Sequence, residues 1–381
     1  MPVEIAYPGV YIEEVRTGTP IPGVPTSTAA FVGASVAGAV GVPTGIRSFA
    51  EFQRAFGDLA PGLTLGHAVR QFFDNGGRDA VVVRAADGTA PDLVLDSALA
   101  ALETTAFNLL CVPPPREGID LPLATRAAAA ALCRRRRALF VVDPSHAWRS
   151  AAAAVAGLEG FFPQRGAESA LYFPFLRGTE ALASGQPRLF APCGAIAGLM
   201  ARTDRGRGVW KAPAGIEAAL TGVTGPALAL DDRDSALLNP LGINAIRSFP
   251  QAGTVVWGAR TLARPDGDER DHKYVSVRRF AAFLEDSVSR GLQAAVFEPD
   301  AEPTWARIRE AVGRFLYELF RQGAMAGRTP KEAYLVKCDA DTTTAADIAL
   351  GRANLVVGFA PLKPAEFVIL KFGLTLAGGT P

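Results

Sequence analysis

The sequence predicts two fold classes in tandem: an N-terminal α/β layer domain and a C-terminal α+β domain, with extended β-arms at both ends. Three observations carry that reading. From Thr28 to about residue 190, short apolar runs alternate with helix-patterned stretches. From Leu238 onward, a hairpin punctuated by Pro and Gly is followed by two amphipathic helices and a terminal strand. The first 25 residues hold Pro2, Pro8, Pro20, Pro22 and Pro25 among β-formers. The predicted boundaries are 1–25 for the N-terminal arm, 26–235 for the α/β domain, 236–362 for the α+β domain and 363–381 for the C-terminal strand arm.

Composition bounds the function classes. With 381 residues, 49% apolar and 20% charged, the chain has material for a substantial core. A formal charge of +1 gives no general attraction to nucleic acid or an anionic membrane. Cys111, Cys133, Cys193 and Cys338 stand far apart with no CxxC pair, which suits reduced thiols better than a disulfide frame or a zinc site. No apolar run reaches the roughly 18 residues of a membrane span. The opening MPVEIAYPGVYIEEV has no basic n-region or apolar h-region, so assembly in the cytoplasm without a signal peptide is expected.

In chain order, residues 1–25 resist helix and cannot form a core, so Val3, Ile5, Tyr11 and Ile12 are expected to pair with a sheet edge in this chain or a neighbour. Ala29–Ala34, Ala80–Ala85, Phe107–Val112, Ala138–Val142 and Ala170–Phe175 read as buried strands, parallel by their alternation with helices. Ser48 caps FAEFQRAF, with Glu51 completing a capping box and Gly57 ending the helix. Thr64–Asn75 carries Leu65, Val69, Phe72 and Phe73 inward and stops at Gly76 and Gly77. Alanine-rich helices are expected near 121–136 and 147–157.

Candidate chemistry in this half is thin. Gly33, Gly38 and Gly41 follow a strand, but GASVAGAVG is neither GxGxxG nor a P-loop and has no phosphate-facing lysine. Arg134–Arg137 fits a solvated helix end better than a phosphate site. His67, His146 and His272 show no metal spacing, and Asp143, Ser145 and His146 are adjacent only in sequence. From Ala191 to Gly215, a short helix around Ile196–Met200 is expected to run into a loop. There Arg202, Arg205, Arg207, Lys211 and Trp210 serve either an oligonucleotide or a rigid contact between subunits.

In LNPLGINAIRSFPQAGTVVWGARTL, residues 238–262, Ile243–Ile246 and Thr254–Trp257 form a hairpin with Trp257 buried. After Asp271, the expected N-cap, the residues Val277, Phe280, Ala281, Leu284 and Val288 make an apolar helix face that Gly291 ends. Pro303 opens a second helix with the stripe Trp305, Ile308, Val312, Phe315, Leu316 and Leu319. Its other face carries Arg307, Glu310, Arg314, Glu318 and Arg321, either solvated or binding a partner. Along the last strand Val368, Leu370, Phe372, Leu374 and Leu376 point one way, and Pro361 and Pro364 before it suit an arm that completes a sheet elsewhere.

Six blocks carry a resemblance: PGVYIEEV at 8–15, FFDNGGRDAVVVRA at 72–85, APCGAIAGLMARTDRGRGVWKAPAG at 191–215, the hairpin at 238–262, KYVSVRRFAAFLEDSV at 273–288 and VKCDADTTTAADIALGRANLVVGFAPLKPAEFVI at 336–369. Together they resemble the contractile tail sheath family of phage tails, tailocins and extracellular injection particles. Residues 86–190 contribute no such block, and an aromatic at Ala294 and an asparagine at Asp300 are expected but absent. The resemblance implies a structural subunit with no active site and no cofactor, polymerised as stacked hexameric rings around an inner tube. It implies a tube-facing α+β domain, an outer α/β domain, terminal arms woven between neighbours, and baseplate and cap proteins as further partners, with neither membrane nor nucleic acid. Arg307, Glu310, Arg314, Glu318 and Arg321 are then the expected tube contact. Readings from other classes are a nucleotide-utilising or hydrolytic α/β enzyme, and a nucleic-acid-binding module using Arg202–Lys211.

Overall fold

The alternation of apolar runs and helices becomes one eight-stranded sheet in the computed structural model, which describes residues 20–85, 91–179, 187–264, 266–267, 269–293, 301–350, 352–362 and 368–375. Val3, Ile5, Tyr11, Ile12, Ala294, Asp300, Pro364 and Leu376 lie outside the described residues. The first lobe begins with β1 (Ala29–Ala34), β2 (Thr44–Ile46), α1 (Phe49–Phe56), α2 (Leu65–Asp74), β3 (Ala80–Ala85) and α3 (Pro91–Ala100). It continues through β4 (Leu109–Cys111), α4 (Leu123–Arg136), β5 (Leu139–Val142), α5 (Ala151–Phe161) and β6 (Ser169–Phe173). Next come β7 (Leu176–Thr179), β8 (Pro187–Phe190), α6 (Cys193–Arg207), β9 (Gly225–Pro226), α7 (Asp232–Leu238), β10 (Ile243–Phe249) and β11 (Gly253–Val256). The second lobe holds α8 (Val275–Gly291), α9 (Glu302–Arg321), α10 (Pro330–Ala333), β12 (Tyr334–Lys337), α11 (Ala345–Ala349), β13 (Arg352–Phe359) and β14 (Val368–Thr375).

The large sheet runs β11-β10-β6-β5-β4-β1-β3-β2, and the short sheets run β12-β13-β14 and β8-β7-β9. Strands β3, β1, β4, β5, β6 and β10 pair in parallel, while β2 and β11 close the margins antiparallel. Alternate side chains divide between two faces. Phe31, Val82, Val141, Tyr172 and Ile246 pack with α1, α2 and α6. Val32, Val83, Phe140, Leu171 and Ala245 pack with residues of α3, α4, α5 and α7. Burial on both faces explains why these strands read as unbroken apolar runs.

Local chemistry sets the element ends. The Ser48 hydroxyl accepts from the Glu51 N–H at 3.2 Å, as the sequence suggests. The Glu51 carboxylate, however, accepts from the Arg47 N–H at 2.7 Å, so the expected box closes one residue early. Gly76, just beyond α2, sits at φ +104°, where a side chain would be strained. Gly194 and Gly198 let α6 lie directly on α2: a Cβ on either would fall 2.0 or 2.3 Å from the Ala68 or Phe72 carbonyl oxygen.

Three expectations are corrected. The hairpin joins β6 through Ile243↔Leu171 and belongs to the first lobe, not to the α+β unit. Its apolar strand can extend the parallel sheet, and spacing along the chain says nothing about which sheet a strand enters. Trp257 lies one residue past β11 and is 38% exposed, not buried. Asp271 lies in a short 3-10 turn, and Tyr274 is the N-cap of α8.

In the second lobe α8 and α9 bury the expected stripes, Phe280, Leu284, Val312 and Leu316 among them, with Leu355, Val357, Leu370 and Phe372 of the short sheet. Ile21, next to the start of the described chain, is buried in this same core.

Candidate functional site

The junction of the two lobes is held by charge. Arg279 of α8 and Asp204 of α6 form an ion pair at 2.6 Å with side chains only 5% and 4% exposed. The Arg279 guanidinium also donates to the Thr26 carbonyl at 2.8 Å, and the Thr26 hydroxyl donates to Asp204 at 2.7 Å. Further along α8, Ser287 accepts from the Val24 N–H at 3.1 Å. Residues 24–26 are therefore stitched between the lobes before β1 begins. Arg137, capping α4 at φ 52°, reaches Glu285 at 2.9 Å and Asp286 at 3.1 Å on the same helix.

Sequence reading misses this seam, because Arg279, Glu285 and Asp286 lie off the apolar stripe of α8 and so read as solvent-facing. Arg134–Arg137 is the largely exposed end of α4 that the sequence suggests, but its arginines also take partners that the sequence does not name. In the structure Arg134 pairs with Glu168 at 3.0 Å, Arg135 pairs with Glu103, and Arg136 donates to the Thr105 carbonyl at 2.9 Å. The one available signal is the coincidence of acids on α8 with an arginine run elsewhere, and it names no partners.

The expected loop after Met200 is helical as far as Arg207, which changes the reading of its charges. Asp204 is buried in the seam. Arg202 donates to the Ala219 carbonyl at 2.5 Å, Arg205 to Gly76 at 3.2 Å, and Arg207 to Glu217 at 2.9 Å. Trp210 packs edge-on against Phe280 at 5.8 Å, so its ring is turned into the second lobe and is not a stacking platform for bases.

The strand ends where an α/β enzyme would hold a ligand are tied to protein groups. The loop after β1 is pinned to β3, with the Arg84 guanidinium donating to Gly38 at 2.6 Å and the Gly41 N–H to Arg84 at 2.9 Å. Asp120 accepts from the Ser145 hydroxyl, the His146 N–H at 2.7 Å and His146 Nδ1 at 2.9 Å. Burial pushes the Asp120 carboxyl up, but these hydrogen bonds outweigh it and hold the group below the usual carboxylate range. His146 Nε2 accepts from the Gly118 N–H at 3.2 Å, so the imidazole is committed to the loop, and the Ser145 hydroxyl is bound to Asp120 and not to His146. Asp143, buried at the start of α6, accepts from the Cys193 N–H at 2.8 Å. Burial raises its carboxyl to about 7 against the pull of those Cys193 bonds. No group of three or more His, Cys, Asp or Glu among the described residues could hold a metal ion.

The structure places Arg307, Glu310, Arg314, Glu318 and Arg321 on the face of α9 opposite its buried stripe. Arg314 pairs with Glu310 at 2.6 Å, and the Arg307 guanidinium donates to the Thr304 hydroxyl at 3.4 Å. Arg314 and Glu318 also line a groove of about 350 Å³ with Pro20, Ile21 and Phe283. Val368, Leu370, Phe372 and Leu374 lie on β14, which pairs antiparallel with β13 of the same chain. Leu370 and Phe372 are buried, so within one chain this strand completes its own sheet and does not leave its lobe as expected. Its apolar side matches the α8–α9 layer, which is sufficient to hold it there.

The fold and the sequence both have known counterparts. Residues 86–262 match the family described as phage tail sheath protein central domain, and residues 268–375 match the phage tail sheath C-terminal domain. The tail sheath protein of Vibrio phage KVP40 is 26% identical over 183 residues, 48% of this chain and 26% of that protein, so this chain spans about a quarter of its length. The sheath complex of the PVC extracellular contractile injection system, in the contracted state, superposes with a TM-score of 0.75 at 29% identity, covering 97% of this chain and 98% of that one. The helical sheath of the anti-feeding prophage (AFP), also contracted, gives 0.74 at 32% identity over 97% and 99%. Two family domains in order and end-to-end likeness at that identity make the chain a member of the phage tail sheath family.

Proposed function

We propose that this chain is the structural subunit of a contractile sheath, which polymerises as stacked hexameric rings around an inner tube and contracts to drive the tube through a target envelope. The observation that carries the reading is the correspondence, over almost the whole of both chains, with the PVC and AFP sheath subunits. The buried seam fits it, because lobes tied through Arg279 and Asp204 suit a subunit that repacks against its neighbours as a whole. The work of contraction then comes from repacking between bodies, with no nucleotide required. In this reading the second lobe faces the tube through Arg307, Glu310, Arg314, Glu318 and Arg321, and the first lobe lies outside. The terminal arms, Val3 to Ile12 at one end and Val368 to Leu374 at the other, tether neighbours; β14 would exchange its own β13 for a neighbour's strand on assembly. Baseplate and cap proteins close the two ends, and assembly takes place in the cytoplasm before release as a tail or particle. No helix among the described residues is long and apolar enough to cross a membrane.

Negative-stain microscopy of the full chain, with and without its tube protein, tests this reading. Long hollow cylinders are expected. A monodisperse monomer that binds a nucleotide or oligonucleotide would replace the reading with an enzymatic or nucleic-acid-binding one.

A further inference from the structure

The β11 margin of the large sheet carries side chains that no core uses. Ile246 and Val256 turn into the core with α2 and α6, so Arg247, Phe249 and Trp257 share the opposite face by strand alternation. The Phe249 and Trp257 rings lie 4.6 Å apart, with the Arg247 guanidinium 5.0 and 5.8 Å from their centres. Arg247 also pairs at 2.7 Å with Asp232, whose side chain is 95% exposed, in the acidic first turn of α7. The outer edge of β11 is already covered, since the Gly215 N–H donates to Val256 at 2.9 Å and the Leu220 N–H to Thr254 at 2.8 Å. One residue from the first of these bonds, on either side of it, stand Trp257 and Ile216, the latter 57% exposed.

Around that edge, on the α6 side, the sign of the charge reverses. Arg202, Arg207 and Lys211 frame a cleft of about 220 Å³. Among the described residues Glu217 is the only carboxylate lining it, 2.9 Å from Arg207 and 4.0 Å from Lys211. The margin thus has an acidic face and a cationic face, and between them the exposed Trp257 ring, backed by the half-buried Phe249 and by Arg247, whose side chain is 11% exposed. Tryptophan and arginine are the residue types that most often dominate protein interfaces.

We infer that this margin is a head-to-tail contact between copies of this chain: the acidic start of α7 of one copy, Asp232 foremost, seats at the Arg207–Lys211 cleft of the next, and the Trp257 cluster is buried between them. Pairing either face with its own copy would set like charge against like. Acid against base is a heterologous contact, the kind that builds a ring or, where the rotation does not close, the open filament a sheath needs. The inference rests on the sheath reading in requiring a polymer of this chain, and it is a contact of bodies, independent of the arms. An anionic nucleic acid on the cleft is the competing occupant; it would leave Asp232 and Trp257 unused.

The test uses the full chain and three changes: Trp257→Ala, Asp232→Arg, and the pair Arg207→Glu with Lys211→Glu. Each is expected to keep the wild-type melting temperature and lower the yield of sedimenting polymer by about tenfold or more. Combining Asp232→Arg with the Arg207→Glu and Lys211→Glu pair, which swaps the charges, is expected to restore polymer. Wild-type yield from the single-face variants, or no recovery on combining them, overturns the contact. So does oligonucleotide binding that is lost with the cleft charges while assembly is untouched. Should the Arg207 and Lys211 pair fail to fold, Lys211→Glu alone and Trp257→Ala, on separate segments, decide the same question. If the wild-type chain forms no polymer at all, the sheath reading fails first and the contact with it.

Discussion

Arg279 on α8 directs two nitrogens at the two carboxylate oxygens of Asp204 on α6, at 2.9 and 2.6 Å, across the junction of the lobes. Buried on both sides, this fork joins helices 75 residues apart in sequence and also holds the Thr26 carbonyl. Removing one partner leaves a buried charge uncompensated. Asp204→Ala and Arg279→Ala are therefore each expected to destabilise by about 3 to 5 kcal/mol in urea denaturation. The double variant Asp204→Leu with Arg279→Met is expected to recover most of that loss. Single variants as stable as wild type would show that the seam is held by apolar contact alone.

The arginine row on α9 is the proposed grip on the tube. Arg307, Arg314 and Arg321 recur every seven residues and stay nearly aligned, drifting roughly 20° per repeat. Screened surface pairs contribute about 0 to 1 kcal/mol each, so many of them can be made together and released together. Changing all three to glutamate should leave the melting temperature close to wild type. Sheaths should then form empty, already contracted, or not at all. Extended assembly around the tube at wild-type yield would instead fit the Glu310–Arg314 pair of the solvated reading.

Truncation separates the two ends. Deleting Pro2–Val15 leaves Ile21 in the core and should leave folding intact while polymer is lost. Deleting Glu366–Leu376 removes Leu370 and Phe372 from that core, so the second lobe should lose several kcal/mol of stability, on the scale of two large-to-small core substitutions. The sequence alone suggests that both deletions spare the fold. Thermal melting of the two truncated chains decides, and an unchanged melt for the C-terminal deletion would mean that β14 contributes only between subunits.

Asp143 gives a pH dependence. Its buried carboxyl keeps a proton to about pH 7, whereas the ordinary value is 3.8. The folded state therefore binds the extra proton between those values, and that stability is complete at low pH and lost as pH rises through about 7. The loss is bounded at about 4 kcal/mol. Asp143→Asn keeps an acceptor for the Cys193 N–H and should flatten the decline in urea stability between about pH 4 and 7. Equal slopes in the two proteins would show that Asp143 ionises freely.

What the sequence determined by itself is what short range encodes. The strands Ala29–Ala34 and Ala80–Ala85, the Ser48 cap, the Gly76 stop and the buried stripes of α8 and α9 follow from periodicity and backbone preference, which act over a few residues. The six blocks further tied the chain to the sheath family. Tertiary structure alone decided which sheet received the 238–262 hairpin, that Trp257 faces outward, that α6 runs to Arg207 and that β14 returns to its own lobe. It also paired Arg279 with Asp204 and Arg137 with Glu285. Such contacts depend on distances between groups far apart along the chain, and a charged residue looks the same in sequence whether solvent or a buried partner answers it.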